Sequence, residues 1–230
     1  MKRINNTFLK ELNRHMDISC VKSTDTKTDI DSMITYAKKY RFITVFTLPC
    51  YTPYVINELR DDEDIQVGGV VGFPSGCDST ESKVFQTKEL IALGCKEIDM
   101  VMAYSMLQSM NYDYVLQDIK KVVEEANGIS VKVIIEATYL TESELRKACD
   151  IAVQAGATFV KSGTGWSGKP TTPEIIKSMK EVVGDRALIK AAGGIRTLDT
   201  VIEMANLGCE RFGVSVASAI SIIKEASEFE

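Results

Sequence analysis

The sequence predicts a single (β/α)8 TIM barrel over residues 1–230, and three observations predict it. Short β-branched runs alternate with longer stretches of helical period, eight times in all. The runs are apolar almost throughout: Val131-Lys132-Val133-Ile134-Ile135 has the composition of a parallel strand covered on both faces. Capping and turn residues fall at the junctions. A doubly wound open sheet would share the alternation, but eight regular units in 230 residues favour closure.

The units follow in order. Asp17–Val21 leads into helical Ile30–Lys39, and Ile43–Leu48 into Pro53–Leu59. Gln66–Gly72 precedes Ser79–Leu93, which Ser79 and Thr80 open and Gly94 closes. Glu97–Met102 precedes one long helix, Leu107–Ala126. Ser130–Glu136 leads to Glu142–Ala155, with Thr141 ahead of Glu144 as a capping pair and Gly156 as the stop. Phe159–Ser162 leads to Pro173–Val183, where proline takes a first helical position after Thr172. Leu188–Ala192 is followed by Leu198–Asn206 and the stop Leu207-Gly208, and Arg211–Ser215 by Ala217–Ser227.

Composition narrows the function classes. Hydrophobic residues make up 45% and charged residues 26%, which is ordinary globular usage. Net charge is −5 with both signs interspersed, so neither nucleic acid nor an anionic membrane is expected as partner. The start, Met1 to Asn6, is basic and runs into an amphipathic stretch rather than an apolar signal region. No apolar run approaches the roughly 20 residues that span a bilayer. Six cysteines without a CxxC pair read as reduced, buried thiols, and a cytoplasmic location is expected.

A barrel carries its chemistry at the C-terminal ends of its strands. In Phe159-Val160-Lys161-Ser162-Gly163-Thr164-Gly165-Trp166, a lysine closes an apolar run. Its ammonium either snorkels to solvent or, if buried, tends to lose its proton and become a nucleophile. The Ser-Gly-Thr-Gly turn after it can offer backbone N–H groups to an anion. One strand on, Leu188-Ile189-Lys190-Ala191-Ala192-Gly193-Gly194 carries a second lysine, and two neighbouring ammonium groups repel. Gly193-Gly194 after the seventh run and Gly213-Val214-Ser215 at the eighth fall where barrels bind phosphate. In Glu97-Ile98-Asp99-Met100, an isolated carboxylate needs a partner, which the lysines could supply as ion pair or proton relay. Asp17 and Glu136 extend that argument, while the pattern around Lys132 leaves it inside or outside. His15 is the only histidine, so histidine-based hydrolysis is hard to build and an amine mechanism is favoured.

Taken in order, Val70-Val71-Gly72-Phe73-Pro74-Ser75-Gly76, Glu97-Ile98-Asp99-Met100-Val101, Val131-Lys132-Val133-Ile134-Ile135-Glu136, Phe159 to Gly165 and Lys190 to Thr197 resemble the deoxyribose-phosphate aldolase family, from about Asp17 to Ser218. These are class I, metal-free aldolases of the barrel fold. The resemblance implies that Lys161 forms a Schiff base, that Lys190 lowers its pKa, and that Asp99 handles protons through a water. It places Gly165, Gly193, Gly194, Gly213 and Ser215 around the substrate phosphate, with Asp17 and Thr164 also among the substrate-binding residues. It implies no cofactor and no metal, a phosphorylated sugar and an aldehyde as ligands, and by analogy a homodimer. The expected products are acetaldehyde and glyceraldehyde 3-phosphate.

The chain departs from the family's usual pattern around the lysine, at Ser162 and Gly163, and at Ile18 to Val21. It also departs at Phe46, where a cysteine is typical, and at Val216, where a serine is. Three readings stay open: this activity, a related Schiff-base aldolase for another phosphorylated sugar, and a non-catalytic sugar-phosphate binder. Two crowded lysines with a carboxylate weigh against the third.

Overall fold

The computed structural model describes residues 6–228, so Met1 to Asn5 of the basic start lie outside the described residues. The eight expected runs form β1 Met16–Cys20, β2 Thr44–Thr47, β3 Gln66–Val71, β4 Glu97–Val101, β5 Ser130–Ile134, β6 Phe159–Lys161, β7 Leu188–Ala192 and β8 Arg211–Ser215. They pair in parallel in chain order, and β8 returns to β1, closing the barrel. Around them lie α1 Asn6–Lys10, α2 Lys27–Tyr40, α3 Thr52–Leu59, α4 Thr80–Leu93, α5 Tyr104–Gln108, α6 Tyr112–Glu125, α7 Glu142–Gln154, α8 Pro173–Val183, α9 Leu198–Asn206 and α10 Val216–Ser227.

Strand alternation divides the side chains between two environments. Val45, Ile98, Val131, Val133, Val160, Ile189 and Phe212 belong to the buried hydrophobic core between sheet and helices. Thr44, Glu97, Asp99, Lys132, Lys161 and Lys190 are equally buried, but they meet one another inside the barrel. Lys132, which its own strand left unplaced, is therefore interior.

The helix ends hold as the sequence suggests. Ser79 accepts a hydrogen bond from the Ser82 N–H, and Thr141 and Glu144 cap α7 reciprocally. Thr172 caps α8, and Gly94, Gly156 and Gly208 take φ of +114°, +88° and +94°. The amphipathic stretch before β1 folds into α1 and a 3-10 turn, Leu12–His15, that buries Leu12. The Asn13 side chain there donates to the carbonyls of Tyr40 and Arg41, at the C-terminal end of α2.

Two expectations change. Leu107–Ala126 is not one helix: α5 ends near Gln108, Met110 turns left-handed at φ +59°, and Asn111 restarts the chain as α6. The Asn111 carboxamide accepts from the Tyr114 N–H, an N-cap that outweighs continued helical periodicity. Among the cysteines, Cys95, Cys149 and Cys209 are buried as expected, but Cys50 and Cys77 are exposed. Among the described residues no helix is long and apolar enough to cross a membrane.

Asn111→Ala removes the cap on α6, and the unfolding free energy from a urea titration should fall by about 1 kcal/mol with the barrel intact.

Candidate active site

The inner face of the barrel carries an ion network assembled from six strands. Parallel register sets Lys161 beside Lys190 and Asp99 beside Lys132. Lys161 and Lys190 both donate to one oxygen, Asp99 Oδ2, each at 2.7 Å. Lys190 also pairs with Asp17 Oδ2 at 2.6 Å, while Asp17 Oδ1 accepts from Arg211 at 2.7 Å. Deeper in the barrel, Lys132 donates to Glu97 at 2.6 Å and stands 3.4 Å from Asp99 Oδ1. Thr44 donates to the same Glu97 oxygen at 2.9 Å.

Four cationic side chains (Lys132, Lys161, Lys190 and Arg211) thus face three carboxylates (Asp17, Glu97 and Asp99), leaving one positive charge in surplus. The surplus is relieved at Lys161. Burial pushes its pKa down, Asp99 opposes this, and Lys190 adds to the depression, so it settles at about 8. Burial works on Lys190 in the same sense, but Asp17 and Asp99 together outweigh it and hold this lysine above its ordinary value. The asymmetry is geometric, since Lys161 contacts one carboxylate and Lys190 two. Burial would raise the Asp99 pKa, yet Lys161, Lys190 and Lys132 keep it well below the carboxylate range. Lysine nitrogens that share an oxygen and differ in this way form an amine and an ammonium side by side at mildly alkaline pH, above about 8. That is the pairing addition to a carbonyl requires.

Above the network lies a cavity of about 510 Å³, lined by all ten residues singled out in the sequence: Asp17, Asp99, Lys161, Thr164, Gly165, Lys190, Gly193, Gly194, Gly213 and Ser215. Their local roles differ. Asp17 lies at the buried end with both oxygens committed to Lys190 and Arg211, which makes it a counter-ion rather than part of the glycine rim. Ser215 accepts from the Ser218 N–H and caps α10, so the N-terminus of that helix opens on the cavity. Thr164 gives its hydroxyl and its N–H to the Glu136 carboxylate and accepts from the Trp166 N–H. Trp166 in turn donates from Nε1 to the Val21 carbonyl at 3.1 Å, tying the loop after β6 to the loop after β1.

Two features of the lining explain themselves locally. A Cβ on Gly163 would stand 2.8 Å from Glu136 Oε1, so a side chain there would have to displace the buried carboxylate under the loop. Ser162 accepts from the Ala192 N–H at 2.9 Å and ties the end of β6 to β7.

Sequence reasoning missed Glu97, Arg211 and Thr44, which open their strands. The available signal was period two: Glu97 and Asp99 share a face, so if one points inward both do. Asp99→Asn leaves Lys161 and Lys190 without their common counter-charge. Its unfolding free energy in guanidinium should fall by about 3–5 kcal/mol, the scale of a broken buried ion pair.

Comparison with known proteins identifies the family. A family model described as DeoC/LacD family aldolase matches residues 48–220. The chain is 42% identical over 215 residues to a deoxyribose-phosphate aldolase of Mycoplasma capricolum, covering 94% of this chain and 96% of that one. It is 40% identical over 226 residues to the Thermococcus kodakarensis protein of the same name, covering 95% and 98%. Among solved structures, the aldolase QR15 superposes with a TM-score of 0.88 at 31% identity, covering 95% of this chain and 96% of that one. The chain therefore belongs to the DeoC/LacD family of aldolases.

Proposed function

We propose that this aldolase reversibly cleaves 2-deoxy-D-ribose 5-phosphate to acetaldehyde and D-glyceraldehyde 3-phosphate through a Schiff base on Lys161. The observation that carries the proposal is the pair of lysines on one Asp99 oxygen, with the lowered pKa on the less deeply buried of the two. The relatives named deoxyribose-phosphate aldolase, matched over nearly their whole length, support the choice of sugar.

In this mechanism the neutral Lys161 amine adds to C1 of the open-chain sugar, and loss of water leaves a protonated imine. The C3 hydroxyl gives up its proton to Asp99 through a water. The C2–C3 electrons flow into the imine, which becomes an enamine, and C3 leaves as the aldehyde of glyceraldehyde 3-phosphate. Protonation at C2 and hydrolysis then release acetaldehyde and the free amine. Lys190 stays protonated, favours the neutral form of its neighbour and supplies positive charge near the reacting oxygens. Gly165, Gly193, Gly194, Gly213 and Ser215, with the α10 N-terminus, hold the phosphate. Thr164 shapes that rim through Glu136.

A second reading keeps Lys161 and changes the sugar. Phe46, Gly163 and Val216 differ from the usual family pattern, which favours comparing cleavage of 2-deoxyribose 5-phosphate with a small panel of sugar phosphates. The enzyme is proposed to act in the cytoplasm as a homodimer. Light scattering after size exclusion separates that assembly from a monomer and from the tetramer described for an Aeropyrum pernix relative.

Incubation with acetaldehyde and cyanoborohydride should alkylate Lys161, located by peptide mass spectrometry; an adduct on another lysine would overturn the assignment. Lys161→Ala should lose turnover with an unchanged circular dichroism spectrum. The trapping rate should rise with pH through an inflection near 8, because only the unprotonated amine adds. Lys190→Met removes the repelling charge and leaves Asp99 to Lys161, so that inflection should move upward, and the rate at pH 7 should fall on the order of 10²-fold or more.

A further inference from the structure

We propose that Phe46 determines which carbonyl compound Lys161 accepts, restricting the Schiff base to a two-carbon aldehyde. The inference rests on the Schiff-base reading of Lys161 and adds a specificity residue to it. Phe46 lies on β2 with 3% of its surface exposed, and it lines the cavity beside the ion network. Its ring centroid is 5.9 Å from Lys161 Nζ, 4.4 Å from Lys190 Nζ and 5.1 Å from Lys132 Nζ.

The ring cannot recede. Register places Phe46 beside Gly68 of β3, and a Cβ built on Gly68 would stand 2.2 Å from the ring's Cε1. The phenyl therefore occupies the volume that a side chain at position 68 would otherwise fill. Bare strand backbone backs it on one side, and the side-chain nitrogens of Lys132, Lys161 and Lys190 confine it on the other. The same cavity is also lined by the small residues Ala192, Gly193 and Gly213.

This wall matters for the donor carbon. In the proposed reaction the new carbon–carbon bond must point toward the glycine rim, where the phosphate end is held. Any further substituent on the donor carbon must then turn toward a side wall. A carbon two bonds from Nζ and directed at Phe46 is about 2.5 Å out, which leaves about 3.4 Å to the ring centroid and is already at carbon–carbon contact. The acetaldehyde methyl carbon fits that limit, and one more carbon in line does not.

The test compares initial rates of cyanoborohydride trapping at Lys161 for acetaldehyde and for propanal. Both rates are taken on the same protein, so any change in amine basicity cancels in the ratio. Wild type should favour acetaldehyde, and Phe46→Ala should lower the ratio about tenfold or more, the usual worth of one methylene in a tight pocket. Phe46→Leu, which keeps an apolar side chain under the lysines, should fall between them. Gly68→Ala pushes the ring into the cavity and should raise the ratio. Leu and Ala at these positions give the answer even if Phe46→Ala fails to fold. A wild-type ratio near one, or a ratio unmoved in the folded variants, overturns the role of Phe46 and leaves the Schiff base standing. No adduct with either aldehyde overturns the Schiff-base reading and this inference with it.

Discussion

One carboxylate oxygen, Asp99 Oδ2, serves two ammonium groups at the centre of a closed barrel, and the rest of the site is arranged around that contact. The partners lie 62 and 91 residues away along the chain, and closure of the sheet brings them together. Burial strengthens each attraction in the network and raises the cost of each unpaired charge. Four cationic groups share three carboxylates, which leaves the interior one positive charge over. The lysine with the fewest carboxylate contacts is the one that can release its proton to correct this. The surplus charge and the lowered pKa of Lys161 thus belong to one arrangement of contacts.

The network sits on strands, whereas the cavity mouth is made of loops. Strands hold Lys161, Lys190 and Asp99 in register, which suits groups whose reactivity depends on tenths of an ångström. The loops are tied back individually: Thr164 to Glu136, Ser162 to Ala192, Trp166 to Val21. Glu136 does not line the cavity, but its buried carboxylate, with pKa raised by desolvation, braces the turn that carries Thr164 and Gly165. Rigid chemistry below and a shaped rim above is the division of labour that lets one barrel change its substrate without losing its reaction.

Much of this was legible in the sequence because it is periodic or local. Strands and helices announce themselves by period, and caps such as Thr141 by their spacing to Glu144. The break between α5 and α6 was not seen, because the apolar spacing from Leu107 onward carries across it while a single Asn111 side chain decides the restart. Lys161 and Lys190 could be suspected as neighbours from strand order. Lys132 could not be placed, because a lysine between apolar residues suits either face of a strand covered on both sides. Glu97 and Arg211 were overlooked because a charged residue at the start of a strand is ordinarily solvated.

The order of the elements is readable along the chain because it follows from repeated patterns, which also favour a closed barrel, and the family resemblance follows from motifs in a fixed order. The sequence also supplied the residues of the site as chemical types. Which lysine has its pKa lowered and which has it raised is a property of the tertiary structure. That outcome depends on how many carboxylates each nitrogen meets and how much water each retains. Both are set by contacts through space between distant strands, which no local stretch of sequence encodes.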